Sequence, residues 1–229
     1  MTVVGEIAAR RLADVVPELD ALGRGGLAAA VAAAPAPRDI VDALAAPGLH
    51  LVAEVKRSSP SAGAIATGDD AVARARAYAA GGAAAISVLC EPHWFGGSVD
   101  DLRAVRASVS VPVLAKEFVV DPRQLDLLRA AGADLVLLLA VLHPAKRLAR
   151  LVAQARDLGL EPLVEAHDVR EIEAALATGA RLIGINNRDL RTLDVDPERC
   201  VRLRDLVPGD RLVISESGVR DTATVARWR

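Results

Sequence analysis

Only three of the 28 basic residues in this chain are lysine, and two of them, Lys56 and Lys116, close short apolar runs. Where a generic cation serves, the chain uses arginine. A guanidinium stays charged at any accessible pH, whereas a desolvated ammonium can release its proton, so a lysine here marks a place where proton transfer is available. Carboxylates stand at matching places: Glu54 precedes Lys56 by two residues, and Glu165 and Glu216 close later apolar runs. Another run ends on the only asparagines, Asn186 and Asn187, followed by Arg188. Three carboxylates, two lysines and an arginine around one cavity push pKa values apart and yield an acid and a base. On that chemistry Lys116 is a general acid kept charged by its neighbours, and Glu165 is a general acid/base.

Gathering these groups requires a particular architecture. Apolar, β-branched runs recur at 51–55, 84–88, 113–116, 135–139, 161–165, 182–186 and 211–216, separated by amphipathic segments at 69–80, 98–107, 122–131, 144–158, 168–177 and 197–206. Continuous apolar strands alternating with helices predict a parallel sheet covered on its outside, and right-handed crossovers close such a sheet into an α/β fold of the (β/α)8 barrel type. Pro122, Pro144 and Pro197 are expected in first helical turns, and the pairs Gly132-Ala133 and Gly179-Ala180 at helix ends. Residues 1–48 read as an N-terminal helical extension, with helices over 6–14, 27–34 and 39–44, on a single domain spanning 1–229.

Catalytic groups of such barrels lie at the C-terminal strand ends, where Glu54, Lys56, Lys116, Glu165, Asn186, Arg188, Glu216 and Ser217 all fall. Residues two apart on a strand share a face, so Glu54 and Lys56 point the same way. Seven strands are counted before the last residue, Arg229. An eighth βα unit is therefore expected but missing, which predicts two bare strand edges, with Glu54 and Lys56 beside the gap.

Composition narrows the class. Aromatic residues make up 2% against 52% hydrophobic residues overall, so the core must be aliphatic. A net charge of −2 with mixed signs argues against a nucleic-acid surface. Cys90 and Cys200 lack motif spacing and read as unpaired structural thiols of a reducing, cytoplasmic setting. No apolar run is long enough for a membrane span. The histidines, His50, His93, His143 and His167, show no paired ligand spacing; each reads as a lone surface or loop residue, and no metal site is expected. Lys146 falls inside a helical segment and reads as solvated.

With these segments in place the chain resembles the indole-3-glycerol phosphate synthase family. The resemblance rests on AEVKRSSPSAG (53–63), ISVLCEPHWFGGS (86–98), VPVLAKEF (111–118), VEAH (164–167), GINNRDL (184–190) and ISESGV (214–219). It implies a cofactor-free lyase of tryptophan biosynthesis that closes the pyrrole ring of 1-(2-carboxyphenylamino)-1-deoxyribulose 5-phosphate with loss of carbon dioxide and water. It further implies that Lys116 protonates the ketone oxygen, that Glu165 serves the dehydration, and that Lys56 holds substrate anions near Glu54. Asn186 would contact substrate hydroxyls, and Glu216 would tune the lysine network. Ser59, Pro60, Phe95, Phe118, Leu137 and Leu190 would line the anthranilate pocket, with Arg188, Ser217 and Gly218 assisting anion binding. The implied partner is this small phosphorylated substrate alone, with a monomer expected. Glu117 and Ala166 stand where the family usually has Asp and Val. Two alternatives remain: a non-catalytic remnant or interaction module of the same fold, and another phosphate-binding barrel such as phosphoribosylanthranilate isomerase.

Overall fold

The computed structural model describes residues 2–66, 68, 70–190, 192–219 and 221–228. Nine strands and nine helices are described. The strands are β1 (Val52–Val55), β2 (Ser58–Ser59), β3 (Gly63–Ala64), β4 (Ala85–Leu89), β5 (Val113–Lys116), β6 (Leu135–Leu139), β7 (Glu161–Ala166), β8 (Leu182–Asn186) and β9 (Leu212–Glu216). The helices are α1 (Val3–Ala33), α2 (Val41–Ala45), α3 (Ala71–Ala80), α4 (Val99–Ser108), α5 (Gln124–Ala130), α6 (Ala145–Asp157), α7 (Val169–Ala177), α8 (Arg199–Arg204) and α9 (Thr222–Trp228). Seven strands form one parallel sheet in the order β1-β4-β5-β6-β7-β8-β9, while β2 and β3 make a small antiparallel pair in the first strand–helix loop. All seven expected strands are present. Among the described residues β1 and β9 each have one neighbour, as the strand count predicted.

Alternation along each strand divides the core in two. Val88, Val113, Ala115, Val136, Leu138, Val164, Ile183 and Ile185 face the helices. Ala85, Leu114, Leu135, Leu137, Leu139, Leu163 and Leu182 face the concave side and pack with Val4 and Ile7 of α1 and with Ile40. A sheet whose strands are apolar on both faces must be covered on both, which is why these runs do not alternate with polar residues. Helix ends follow local chemistry. Ser98 and Asp168 accept the N–H groups of Asp101 (3.0 Å) and Glu171 (2.9 Å) as N-caps, and Gly132 and Gly179 adopt positive φ just past α5 and α7 as the Gly-Ala pairs predicted.

Some expectations need correction. The helices expected over 6–14 and 27–34 belong to one element, α1, which continues through Pro17 and is interrupted at Gly23, where φ is 63°. The separation therefore falls at the glycine rather than across 15–26, because the buried Val15 and Leu19 keep the helix packed past Asp14. Pro122 and Pro197 lie before the N-caps Arg123 and Glu198, and Pro144 is itself an N-cap, so none occupies a first turn. The helix expected from Asp69 begins on a residue outside the described ones; Asp70 caps α3. Arg229 also lies outside them.

α1 is tied to the sheet by a buried ion pair. Arg11 donates through Nε to Glu117 Oε2 at 3.0 Å, with Nη2 2.9 Å from the same oxygen, and Glu117 Oε1 accepts the Phe118 N–H at 2.7 Å. The backbone directly after Lys116 is thereby clamped. Across the N-terminal strand ends, Asp134 accepts the Arg38 and Val113 N–H groups at 2.7 and 2.8 Å and pairs with Arg106. These two networks fix opposite ends of β5. No described helix is long and apolar enough to cross a membrane.

Candidate active site

The register of the parallel strands brings the chemical groups to one rim. Leu89 is level with Lys116, Leu139 with Glu165, Glu165 with Gly184, and Asn186 with Glu216. The result is a polar cluster on the concave side. Lys116 Nζ lies 3.1 Å from Glu165 Oε2 and also contacts Glu216 Oε2. Asn186 Nδ2 donates to Glu165 Oε1 at 2.9 Å. The side chains of Lys116, Glu165 and Glu216 are 15%, 2% and 11% exposed, so their electrostatics act in a poorly screened environment.

Burial sets the protonation pattern and the neighbours decide it. Burial favours neutral Lys116, but Glu216, Glu165 and Glu54 outweigh it and raise the ammonium well above its ordinary value. Burial would raise Glu165, yet Lys116, His167 and Asn186 hold it far below the usual carboxylate range. Glu216 is left with the opposite outcome: burial and the Glu165 charge push it up to about 8 against the pull of Lys116. The cluster at neutral pH is therefore an ammonium, a carboxylate and a carboxyl that readily holds a proton.

Glu216 fits only because residue 184 has no side chain. A Cβ at Gly184 would stand 2.3 Å from Glu216 Oε1 and 3.4 Å from Leu163 Cδ1. Gly184→Ala is expected to displace the Glu216 carboxyl from Lys116, cost about 1–3 kcal/mol and lower turnover, as measured by thermal unfolding and steady-state kinetics. A parent-like pair of results would show that Glu216 has another place to go.

Glu54 and Lys56 form an ion pair on the edge strand side, with Ser87 Oγ 3.4 Å from Glu54 Oε2. Their side chains are 30% and 31% exposed, twice the exposure of Lys116, on a strand that has one neighbour among the described residues. The aromatic and aliphatic residues expected at the pocket come together: Phe118, Leu137, Phe95 and Leu190 share the concave cluster, with the Phe95 and Phe118 ring centroids 6.0 Å apart. Ser59 ends β2 and Pro60 opens the β2–β3 turn; β2 is held to the loop after β4 by Ser58 N–H to Phe95 O (3.2 Å) and Ser58 Oγ to Trp94 O (2.9 Å). Arg188 donates from Nη1 to Leu193 O at 2.6 Å, so its guanidinium is turned into its own loop. Ser217 and Gly218 have φ of 61° and 83°.

The two asparagines divide their work. Asn186 orients Glu165, whereas the fully buried Asn187 bridges Ser215 Oγ, Glu216 O and Ser217 O and accepts the Cys200 N–H, pinning β9 to β8. Cys90 and Cys200 are free and buried, and Lys146 is exposed on α6.

Reading the histidines as lone surface or loop residues needs correction for His167 and His143. His167, 11% exposed, places Nε2 3.2 Å from Glu165 Oε1 and Nδ1 2.9 Å from Glu171 Oε2. Burial disfavours its charge, but the two carboxylates push it up to about 9. His143 is buried, and that burial, with Arg147, pushes it down to about 4. His93 is exposed on the loop after β4, as expected, with Nε2 2.7 Å from Asp14 of α1. A sequence signal for His167 existed in its i,i+4 spacing to Glu171 across the Asp168 N-cap. Among the described residues no cluster of His, Cys, Asp and Glu could hold a metal ion.

Comparison with known proteins places the fold and the family. A solved N-acetylmannosamine-6-phosphate 2-epimerase from Clostridium perfringens shares the fold, with a TM-score of 0.61 at 15% identity over 83% of this chain and 85% of that one. An indole-3-glycerol phosphate synthase from Nocardioides sp. is 48% identical over 228 residues, which is 100% of this chain and 88% of that protein. One from Mycobacterium tuberculosis is 46% identical over 227 residues, 99% of this chain and 84% of that protein. The family model for indole-3-glycerol phosphate synthase matches residues 4–229, a span that contains the whole polar rim and the helix clamped to it. The chain thus belongs to the indole-3-glycerol phosphate synthase family.

Proposed function

We propose that this chain closes the indole ring of 1-(2-carboxyphenylamino)-1-deoxyribulose 5-phosphate, with Lys116 and Glu165 dividing the proton transfers. The observation that carries the assignment is the Lys116 ammonium held between Glu165 and Glu216 at the strand ends of a sheet whose concave face also carries the Phe95, Phe118 and Leu137 cluster. A lysine so firmly protonated is a weak acid toward a ketone and a good donor to the alkoxide that forms from it. As the carboxylate-bearing ring carbon attacks the ketone carbon, the C=O electron pair moves to oxygen and takes the proton of Lys116. Loss of carbon dioxide returns the C–CO2 bond electrons to the ring. Glu216, which holds a proton to about pH 8, can restore the ammonium.

Dehydration follows. Glu165, the ionised member of the cluster, takes up a proton as the amine side loses one, and delivers it to the departing hydroxyl. Asn186 keeps Glu165 aligned and reaches substrate hydroxyls. Lys56, on the more open side next to Glu54, holds the substrate's anions; Ser59, Pro60 and Leu190 close the aromatic pocket, and Arg188, Ser217 and Gly218 assist the phosphate. Arg188 must first leave its Leu193 partner to do so. Two buried, unpaired thiols support a reducing, cytoplasmic setting.

Binding is testable without turnover. A substrate analogue with the ketone reduced to an alcohol should raise the melting temperature, since ligand at about 100 times its Kd adds about 2.7 kcal/mol to the bound fold. An unchanged melting temperature at millimolar analogue would contradict the assignment.

A further inference from the structure

We propose that His167 is the positioning residue for Glu165, holding its carboxylate ionised and aimed at Lys116 through a bridge anchored on Glu171. This rests on the Glu165 role proposed above and adds a residue to it. The geometry is a chain of groups of alternating charge, Glu171, His167, Glu165 and Lys116, closed by the Glu216 carboxyl. Its outer end is rigid. Glu171 sits in the first turn of α7, its own N–H is taken by the Asp168 cap at 2.9 Å, and its Oε2 accepts both the His167 N–H (2.8 Å) and Nδ1–H (2.9 Å).

One ring nitrogen is thus tied to a fixed carboxylate, which leaves Nε2 directed at Glu165. Its 3.2 Å approach to Oε1 is an ion-pair contact rather than an aligned hydrogen bond; the Asn186 amide makes the hydrogen bond to that oxygen. Asn186 therefore fixes the direction of the carboxylate, and His167 supplies the charge. Without His167, Glu165 would face Lys116 alone and compete for it with Glu216, and the Oε1 side would carry no cation. The groups facing the imidazole are Glu165 from β7 and Glu171 from α7; Lys116 of β5 and Glu216 of β9 stand behind Glu165, and the turn over Ala140–Leu142 brings no titratable side chain. Burial lowers the imidazole's affinity for its proton, but the two carboxylates more than restore it, so the ring is charged at neutral pH.

Two independent readings test this. In a ring-nitrogen NMR titration of the 229-residue chain, His167 should keep both protons until about pH 9, and Glu171→Gln should bring its midpoint down. In kinetics, His167→Ala and His167→Gln should lower kcat about 10- to 100-fold with a much smaller change in KM. The acid limb of the kcat profile should move to higher pH by about one unit, because Glu165 takes up its proton more readily once a facing cation is gone. Glu171→Gln should shift the limb the same way, and combining it with His167→Gln should add little. His167→Gln keeps a donor at the site, so it decides the matter if the alanine variant unfolds. A His167 midpoint at or below the ordinary 6.5, or a His167→Gln profile that overlays the parent, would overturn the proposal. If the parent itself makes no indole product, the Glu165 role fails, while the titration still decides whether the bridge exists.

Discussion

Replacing Lys116 by Met should abolish carbon dioxide release and indole formation together, each by about 10²–10⁴-fold, because both follow the carbon–carbon bond that the ammonium makes possible. The same variant should unbalance the cluster. Glu165 and Glu216 would face each other, nearly buried, without the cation both contact in the parent. One of them must then keep a proton. A carboxyl whose pKa is raised by folding contributes stability that is present below its unfolded pKa and is lost as pH rises through the folded one. Lys116→Met should therefore melt near the parent temperature around pH 5 and fall behind toward pH 8, by about 3–5 kcal/mol, as the proton that one carboxyl must keep becomes harder to retain. A uniform loss across that range would mean that the lysine contributes packing rather than charge.

Glu165→Gln should separate the two products. Lys116 keeps Glu216 as a partner, so ring closure and carbon dioxide release should stay within about tenfold of the parent, while indole formation falls about 10²–10⁴-fold. The ring-closed hydroxy compound should accumulate and be visible by mass spectrometry. The substitution also removes the charge that, after burial, holds Glu216 up near 8. Glu216 should then ionise at lower pH, moving any limb it governs in the acid direction. Equal loss of both products would place Glu165 in the first step and contradict the division of labour.

Parent stability should carry a pH signature of the same cluster. His167 rises from 6.5 to about 9 on folding, so its contribution is complete below pH 6.5 and disappears as pH climbs to about 9. Glu216, raised from 4.5 to about 8, loses stability over the window below that value as pH rises. The two trends reinforce each other between pH 6.5 and 8, and both oppose any benefit of alkaline conditions.

Much of this site was legible before the fold was known because barrel geometry converts strand ends into one rim. Lys116, Glu165, Asn186 and Glu216 needed only a strand boundary and the rule that such ends converge. The scarcity of lysine singled out Lys56 and Lys116, and the solvated reading of Lys146 followed from its helix. Three-dimensional choices were less visible. Whether His167, one residue past β7, points to water or to Glu165 depends on where the first turn of α7 places Glu171. The need for a bare Cα at Gly184 depends on the neighbouring strand's register, since residue 216 competes for that volume. Arg11 and Glu117 are 106 residues apart, beyond any local pattern. Continuation of α1 through Pro17 was hidden because proline ordinarily breaks a helix, while buried Val15 and Leu19 hold this one against α5.

In the proposed mechanism one buried ammonium makes the carbon–carbon bond possible and one ionised carboxylate completes the dehydration. A single-turnover experiment that records carbon dioxide and indole absorbance simultaneously, for the parent, Lys116→Met and Glu165→Gln, tests it most directly. Both signals are expected in the parent, neither in Lys116→Met, and carbon dioxide without indole in Glu165→Gln. Carbon dioxide release from Lys116→Met at the parent rate would contradict it.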